Sequence, residues 1–209
     1  MIRPHRLFDF IRNGSTKAYT MFVKRRFKRL ESNLSPFVEV KNPEYITIKE
    51  RTTIRPYTWL YAIVNTGNKK NVFHPDLQIG KSCSIGRFCH ITCSNKVVFE
   101  DNVFLTEGVL VTDSIHGYKD INTPIYNQPL ISLGPVIIGE GTWIGNGARI
   151  VGRVKIGTGC IIATNSVVSN SIVPDHCLVS GNPARITKIY NKNLSDWEVV
   201  DLPLEKYIK

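Results

Sequence analysis

From Val136 to Arg185 an aliphatic residue returns at every sixth position: Ile138, Ile144, Ile150, Ile156, Ile162 and Val168. A small residue (Gly139, Gly145, Gly157, Ala163) directly follows four of them. The spacing returns at Ile48, Ile54, Leu60; at Ile79, Ile85, Ile91; and at Phe99, Leu105, Val111. Neither a helical period nor simple strand alternation accounts for it. Side chains alternate along a strand, so the first and fifth residues of each hexapeptide point the same way. The fifth positions are compact: Cys83, Cys89, Val103, Val109, Thr142, Ala148, Val154, Cys160 and Ser166. A glycine after the aliphatic residue suits a sharp corner. Short strand, corner and short strand, repeated, stack into a coil that buries a continuous interior: an all-β parallel β-helix.

The rhythm sets the organisation. Residues 1–34 form a basic helical segment, 35–186 the coil, and 187–209 a segment that caps its open end. The first coil is expected from Ser35 to Val64. Two excursions interrupt the coil, at 65–78 and 117–135. The second contains Pro124, Pro129, Gly134 and Pro135, and loops of that length inside a compact repeat are usually functional. No apolar run approaches the roughly 18 residues of a membrane span, and the N-terminus has no signal-peptide core. The cysteine spacing matches no common zinc pattern, so the thiols read as buried and reduced, and no metal is expected.

The net charge of +10 is concentrated at the start, where Arg3, Arg6, Arg12, Lys17, Lys24, Arg25, Arg26, Lys28 and Arg29 face a single acid, Asp9. Tyr19, Phe22, Val23, Phe27 and Leu30 recur at helical steps, predicting an amphipathic helix from about Thr16 to Glu31. Its basic face fits either solvent or an anionic membrane surface touched by residues 1–30. No recognition motif for nucleic acid accompanies the charge.

The aliphatic-Gly-x-x-small-x pattern, Trp143-Ile144-Gly145 and Ser180-Gly181-Asn182-Pro183-Ala184-Arg185 resemble the hexapeptide-repeat acyltransferases, particularly the sugar O-acetyltransferases of polysaccharide biosynthesis. The resemblance covers about residues 40 to 190 and implies a left-handed β-helix. That hand opposes the usual one for parallel crossovers and is not read from the pattern. It also implies a homotrimer with acetyl-CoA between subunits and a cytoplasmic location, free or peripheral at the inner face of the membrane.

In such enzymes a histidine at a coil end is the general base, often within Asp-His-x-His-Gly. Here the string is Asp113-Ser114-Ile115-His116-Gly117, with Ser114 in place of the first histidine. A sugar hydroxyl is a poor nucleophile, whereas a thioester is already activated, so the missing group is a base. His116 fills that role, with Asp113 as a candidate to orient it and Asn146 to stabilise the oxyanion. The resemblance assigns coenzyme contacts to Trp143, Gly145, Asn146, Ala163, Thr164, Ser169, Arg185 and Lys188. Cations at the last two suit an anionic nucleotide. Where relatives often have Thr-Lys this chain has Ser169-Asn170, and a frequent Pro-Gly is Gly152-Arg153. His90 points outward, either packed on the surface or touching acceptor. No acyl-enzyme is needed, and Cys160 is not expected to act as a nucleophile.

Three other functions are compatible with such a coil to different degrees. An antibiotic-modifying O-acetyltransferase would share the base, and a non-catalytic β-helix scaffold would need neither His116 nor the coenzyme residues. A γ-carbonic-anhydrase-like hydratase would need three converging histidines, which the spacing does not supply.

Overall fold

Inward residues one hexapeptide apart occupy successive faces of a three-sided coil of parallel strands. The structure is a computed structural model that describes residues 4–66 and 71–206, with the side chains of residues 4–13 outside the description. Each rung visits three sheets in turn, here called faces one, two and three. On face one Ile48, Ile79, Phe99, Ile138, Ile156 and Val173 stack in register. Face two stacks Ile54, Ile85, Leu105, Ile144, Ile162 and Val179. Face three stacks Leu60, Ile91, Val111, Ile150 and Val168. All are buried. Fully burying such a side chain contributes about 1.5–3 kcal/mol, and the ladder repeats that gain on every rung.

The fifth positions do more than fill space. Thr58, Thr142, Cys89 and Cys160 donate to carbonyls of the following rung: Thr58 Oγ1 to Gly86 O at 2.8 Å, Thr142 Oγ1 to Gly157 O at 2.9 Å, Cys89 Sγ to Thr106 O at 3.1 Å and Cys160 Sγ to Pro174 O at 3.0 Å. A small buried residue carrying one donor satisfies the corner carbonyl that a purely apolar one would leave unpaired. Gly139 shows why the next position is small: a Cβ there would lie 2.5 Å from the Gly157 carbonyl carbon on the rung beneath.

The N-terminal segment differs from the expected helix. A 20-residue helix runs over Pro4–Val23, and a 3-10 turn, Lys24–Arg26, follows. Arg29–Leu30 then pairs in parallel with Thr47–Ile48, so the chain joins the coil before Ser35. Val23, Phe27 and Leu30 are buried as their spacing suggests, but the last two reach the core from the extended residue that ends the turn and from a strand. Phe22 is 80% exposed, and Met21 beside it 79%. Thr20 Oγ1 clamps the helix to the coil, accepting from Leu34 N at 2.8 Å and donating to Thr16 O at 2.7 Å.

The C-terminal segment is built of strands. Ala184–Asn191 and Asp196–Pro203 make an antiparallel hairpin that extends face two and leaves Val199 and Leu202 exposed. The chain then returns to face one, where Leu204 is buried and Glu205 and Lys206 pair with Ile172 and Ser171. Among the described residues no helix is long and apolar enough to cross a membrane.

Candidate active site

The corner after face three is where the coil is interrupted. Ser114–His116 leaves the last strand of its rung and pairs antiparallel with Leu130–Ser132, so the excursion closes on a two-stranded stem with His116 opposite Leu130. Gly117 follows because space demands it: its amide donates to Pro129 O at 2.9 Å, and a Cβ would meet that oxygen at 2.7 Å. His116 is exposed and lines a cleft of about 370 Å³ with Thr66, Tyr126, Asn127, Gln128, Pro129 and Leu130. Gln128 braces this wall from inside, its amide donating to Asp120 O at 2.7 Å and Thr123 O at 2.8 Å. Asn71 Nδ2 of the first excursion donates to Leu130 O at 3.2 Å, so the two excursions meet beside His116. Hexapeptide spacing carries no signal for that meeting.

Asp113 does not serve as an orienting group for His116. Its fully buried carboxylate accepts four hydrogen bonds, from Ser94 N at 2.8 Å, Ser94 Oγ at 2.9 Å, Asn95 N at 2.7 Å and Lys96 N at 3.0 Å. It caps the corner of the preceding rung, and both oxygens are committed there. Ser114 is buried against Thr112, whose Oγ1 accepts from Ser114 N at 3.2 Å and lies 3.5 Å from the Ser114 hydroxyl. His90 stacks on Trp59, ring centroids 4.2 Å apart, as part of an aromatic ladder on face three that continues to Tyr61.

The coenzyme candidates fall mostly on a different edge. Trp143 and Ile161 are register partners on face two, and Leu178 and Lys188 continue that line. Asn165 N donates to Asn146 O at 2.9 Å, which seats exposed Asn146 above exposed Thr164 at the corner after face two. Gly145 is fitted to this corner, since a Cβ would lie 2.7 Å from Thr164 N. Ala163 sits one residue before Thr164, and Arg185 pairs with Ser180 just beyond. Trp143, Gly145, Asn146, Ala163, Thr164, Arg185 and Lys188 therefore share one edge, with exposed indole, amide, hydroxyl and guanidinium groups and a half-buried lysine suited to a long anionic coenzyme. Arg185 is already held by Asp201, Nε to Oδ1 at 2.5 Å. Ser169 stands apart, at the far end of face three in register with Val151 and Thr112. Arg153 lies at that same corner, its amide held by Asn170 Oδ1 at 3.1 Å and its side chain packed over Gly134.

His116 and the edge that carries the coenzyme candidates are separated on one chain by the width of face three. Glu107, level with Asn146, precedes Asp113 by a single strand; at about 3.3 Å per residue that is at most roughly 20 Å.

The five cysteines are free and buried. Burial pushes the Cys160 thiol up to about 11, and backbone hydrogen bonds offset only part of this. A thiol is a far weaker nucleophile than its thiolate, so the native protein is expected to resist iodoacetamide at Cys160 at neutral pH, with labelling appearing on denaturation. Rapid labelling of the folded chain, read by mass spectrometry, would contradict this.

Comparison with known proteins agrees with this architecture. The family model "Bacterial transferase hexapeptide (six repeats)" matches residues 135–170. The chain is 33% identical over 132 residues to the "Probable macrolide acetyltransferase" of Lysinibacillus sphaericus, covering 62% of this chain and 70% of that one. It is 28% identical over 120 residues to the "Putative lipopolysaccharide biosynthesis O-acetyl transferase WbbJ" of Escherichia coli K12, covering 54% and 61%. The chain spans 44% and 61% of the first two curated relatives it matches. Among solved structures, the N-acyltransferase AntD from Bacillus cereus, in complex with dTDP and 3-hydroxybutyryl-CoA, superposes with a TM-score of 0.68 at 18% identity, covering 86% of this chain and 92% of that one. Fold and interrupted corner together define a hexapeptide-repeat protein coiled as a left-handed parallel β-helix. The chain belongs to the bacterial hexapeptide transferase family.

Proposed function

We propose that this protein is an acetyl-CoA-dependent O-acetyltransferase that acetylates a sugar hydroxyl of a cell-surface polysaccharide or of its lipid-linked precursor. The observation that carries the reading is His116, an exposed imidazole held by a hydrogen-bonded stem at the mouth of a cleft. His116 takes the proton of the acceptor hydroxyl as its oxygen attacks the thioester carbonyl. The carbonyl oxygen gains the charge and is met by the Asn146 amide. As the tetrahedral intermediate collapses, the C–S bond breaks and the proton passes from His116 to the departing thiolate. Trp143 walls the thioester end, while Arg185 and Lys188 meet the phosphates of the nucleotide. No residue is acylated.

The separation of His116 from the coenzyme edge on one chain supports a homotrimer in which a neighbouring copy presents that edge to this base. The two excursions, joined through Asn71 and Leu130, form the acceptor wall. The protein then works on the cytoplasmic side, where acetyl-CoA is made. Exposed Met21 and Phe22 beside Lys24, Arg25 and Arg26 support peripheral contact with the membrane that carries a lipid-linked acceptor. The expected result of deleting the gene is loss of one O-acetyl group from cell-surface glycans, read by mass spectrometry; an unchanged glycan would contradict the acceptor class. The second reading, transfer to a macrolide hydroxyl, rests on the Lysinibacillus sphaericus relative. It is distinguished by faster turnover with a macrolide than with any envelope sugar.

A further inference from the structure

The cleft at His116 is not the roomiest one among the described residues. A larger one, about 620 Å³, opens at the N-terminal end of face two. Faces one and three begin with Arg29–Leu30 and Glu39–Lys41, but face two begins a rung later with Thr53–Ile54. Among the described residues that strand has a neighbour on one side only. The segment from Glu31 to Ser35 crosses the gap, and Thr16 and Lys17 of the helix overhang it.

Four cations line this space: Lys17, Arg51, Arg55 and Arg87. Arg51 is engaged by Ser82 Oγ at 3.2 Å and, more loosely, by Glu50 at 3.8 Å. Among the described residues Lys17, Arg55 and Arg87 make no ion pair with an acid. The one acid in the wall, Glu31, is held at 2.7 Å by Arg29, which does not line the cleft. The buried wall hydroxyls are committed to the fold: Ser32 Oγ donates to Lys49 O at 2.6 Å, and Thr52 Oγ1 donates to Gly80 O at 2.7 Å. What the cleft offers a ligand is therefore positive charge on guanidinium forks. Charges of one sign in a recess focus the field and concentrate counter-ions, and a guanidinium matches two phosphate oxygens at once.

We propose that this cleft binds the phosphate group of a ligand, supplied either by a soluble phosphate ester or by an anionic lipid headgroup. The site is separate from the His116 cleft and stands whether or not the chain transfers acetyl groups. The exposed Met21 and Phe22 lie on the same helix as Lys17, which places apolar side chains near enough for a headgroup to be presented from a bilayer.

The test uses the full chain and two probes: inorganic pyrophosphate followed by calorimetry, and sedimentation with phosphatidylglycerol or phosphatidylcholine vesicles. At least one phosphate probe should bind. The variant Arg55→Ala/Arg87→Ala should weaken that binding about tenfold or more, while Arg55→Lys/Arg87→Lys, which keeps the charge and loses the forks, falls between. Arg55 and Arg87 are both exposed, so the unfolding midpoint should not move in either variant. Binding of pyrophosphate assigns the site to a soluble ester; binding to phosphatidylglycerol vesicles alone assigns it to a headgroup. The proposal is overturned if neither probe binds or if the alanine variant binds like the parent. It is also overturned if Lys155→Ala/Lys192→Ala, exposed cations outside the cleft and away from the N-terminal helix, causes an equal loss, since diffuse charge would then explain the attraction.

Discussion

Replacing His116 with alanine is expected to lower kcat for acetyl transfer by about 10²- to 10⁴-fold, the usual contribution of a positioned general base. The Michaelis constant for acetyl-CoA should stay close to that of the parent, because the residues proposed to bind the coenzyme lie on another edge of the prism. His116 is exposed and its ring closes no packing gap, so thermal stability should be preserved. The placement of base and coenzyme edge gives a second readout. Mixing His116→Ala with Asn146→Ala, each nearly inactive, should restore part of the activity when the subunits exchange, because some interfaces then carry both intact groups. A His116→Ala protein that retains the parental rate would remove the mechanism, whatever its acceptor.

The second large effect belongs to Asp113, and it is one of stability. Asp113→Ala would strip acceptors from three backbone amides and the Ser94 hydroxyl at a corner that is partly closed to water. Leaving buried donors unsatisfied costs about 1–3 kcal/mol each, less where water can reach, so a total of roughly 3–5 kcal/mol is expected. In a chain of this size that lowers the melting midpoint by about 10 °C. Asp113→Asn, which keeps one carbonyl oxygen but turns an amide toward those donors, should recover only part of the loss. If Asp113 instead oriented His116, kcat would fall while the melting curve stayed in place. Thermal unfolding and single-turnover rates measured on the same sample separate the two outcomes.

The rungs are legible in the sequence because a three-sided coil forces each face to repeat at one interval, and Ile138 to Val168 obey it without a break. The same logic makes the fifth positions small. What spacing cannot show is which side chain closes which corner. The chain slips by two residues between Ile91 and Phe99, and the slip is visible in the sequence. Its cap is not, because Asp113 reaches Ser94, Asn95 and Lys96 from the next rung, and only stacking brings them together. The end of the helix is hidden for a related reason. Phe27 and Leu30 continue the apolar period of Tyr19 and Val23, yet they are buried from the residue after a 3-10 turn and from a strand, so helical spacing persists after the helix has stopped. The excursion walls are the least legible part. Thr66, Asn71, Tyr126 and Gln128 follow no period and take their place from contacts between two loops.

The measurement closest to the central claim is transfer of label from acetyl-CoA carrying an isotope in its acetyl group, using the purified protein and an acceptor pool from the cell envelope. The account predicts label on a sugar as an ester removed by mild base, with equimolar release of CoA and dependence on His116. Label held as a base-stable amide, or coenzyme that binds and is never consumed with any hydroxyl acceptor, would contradict it.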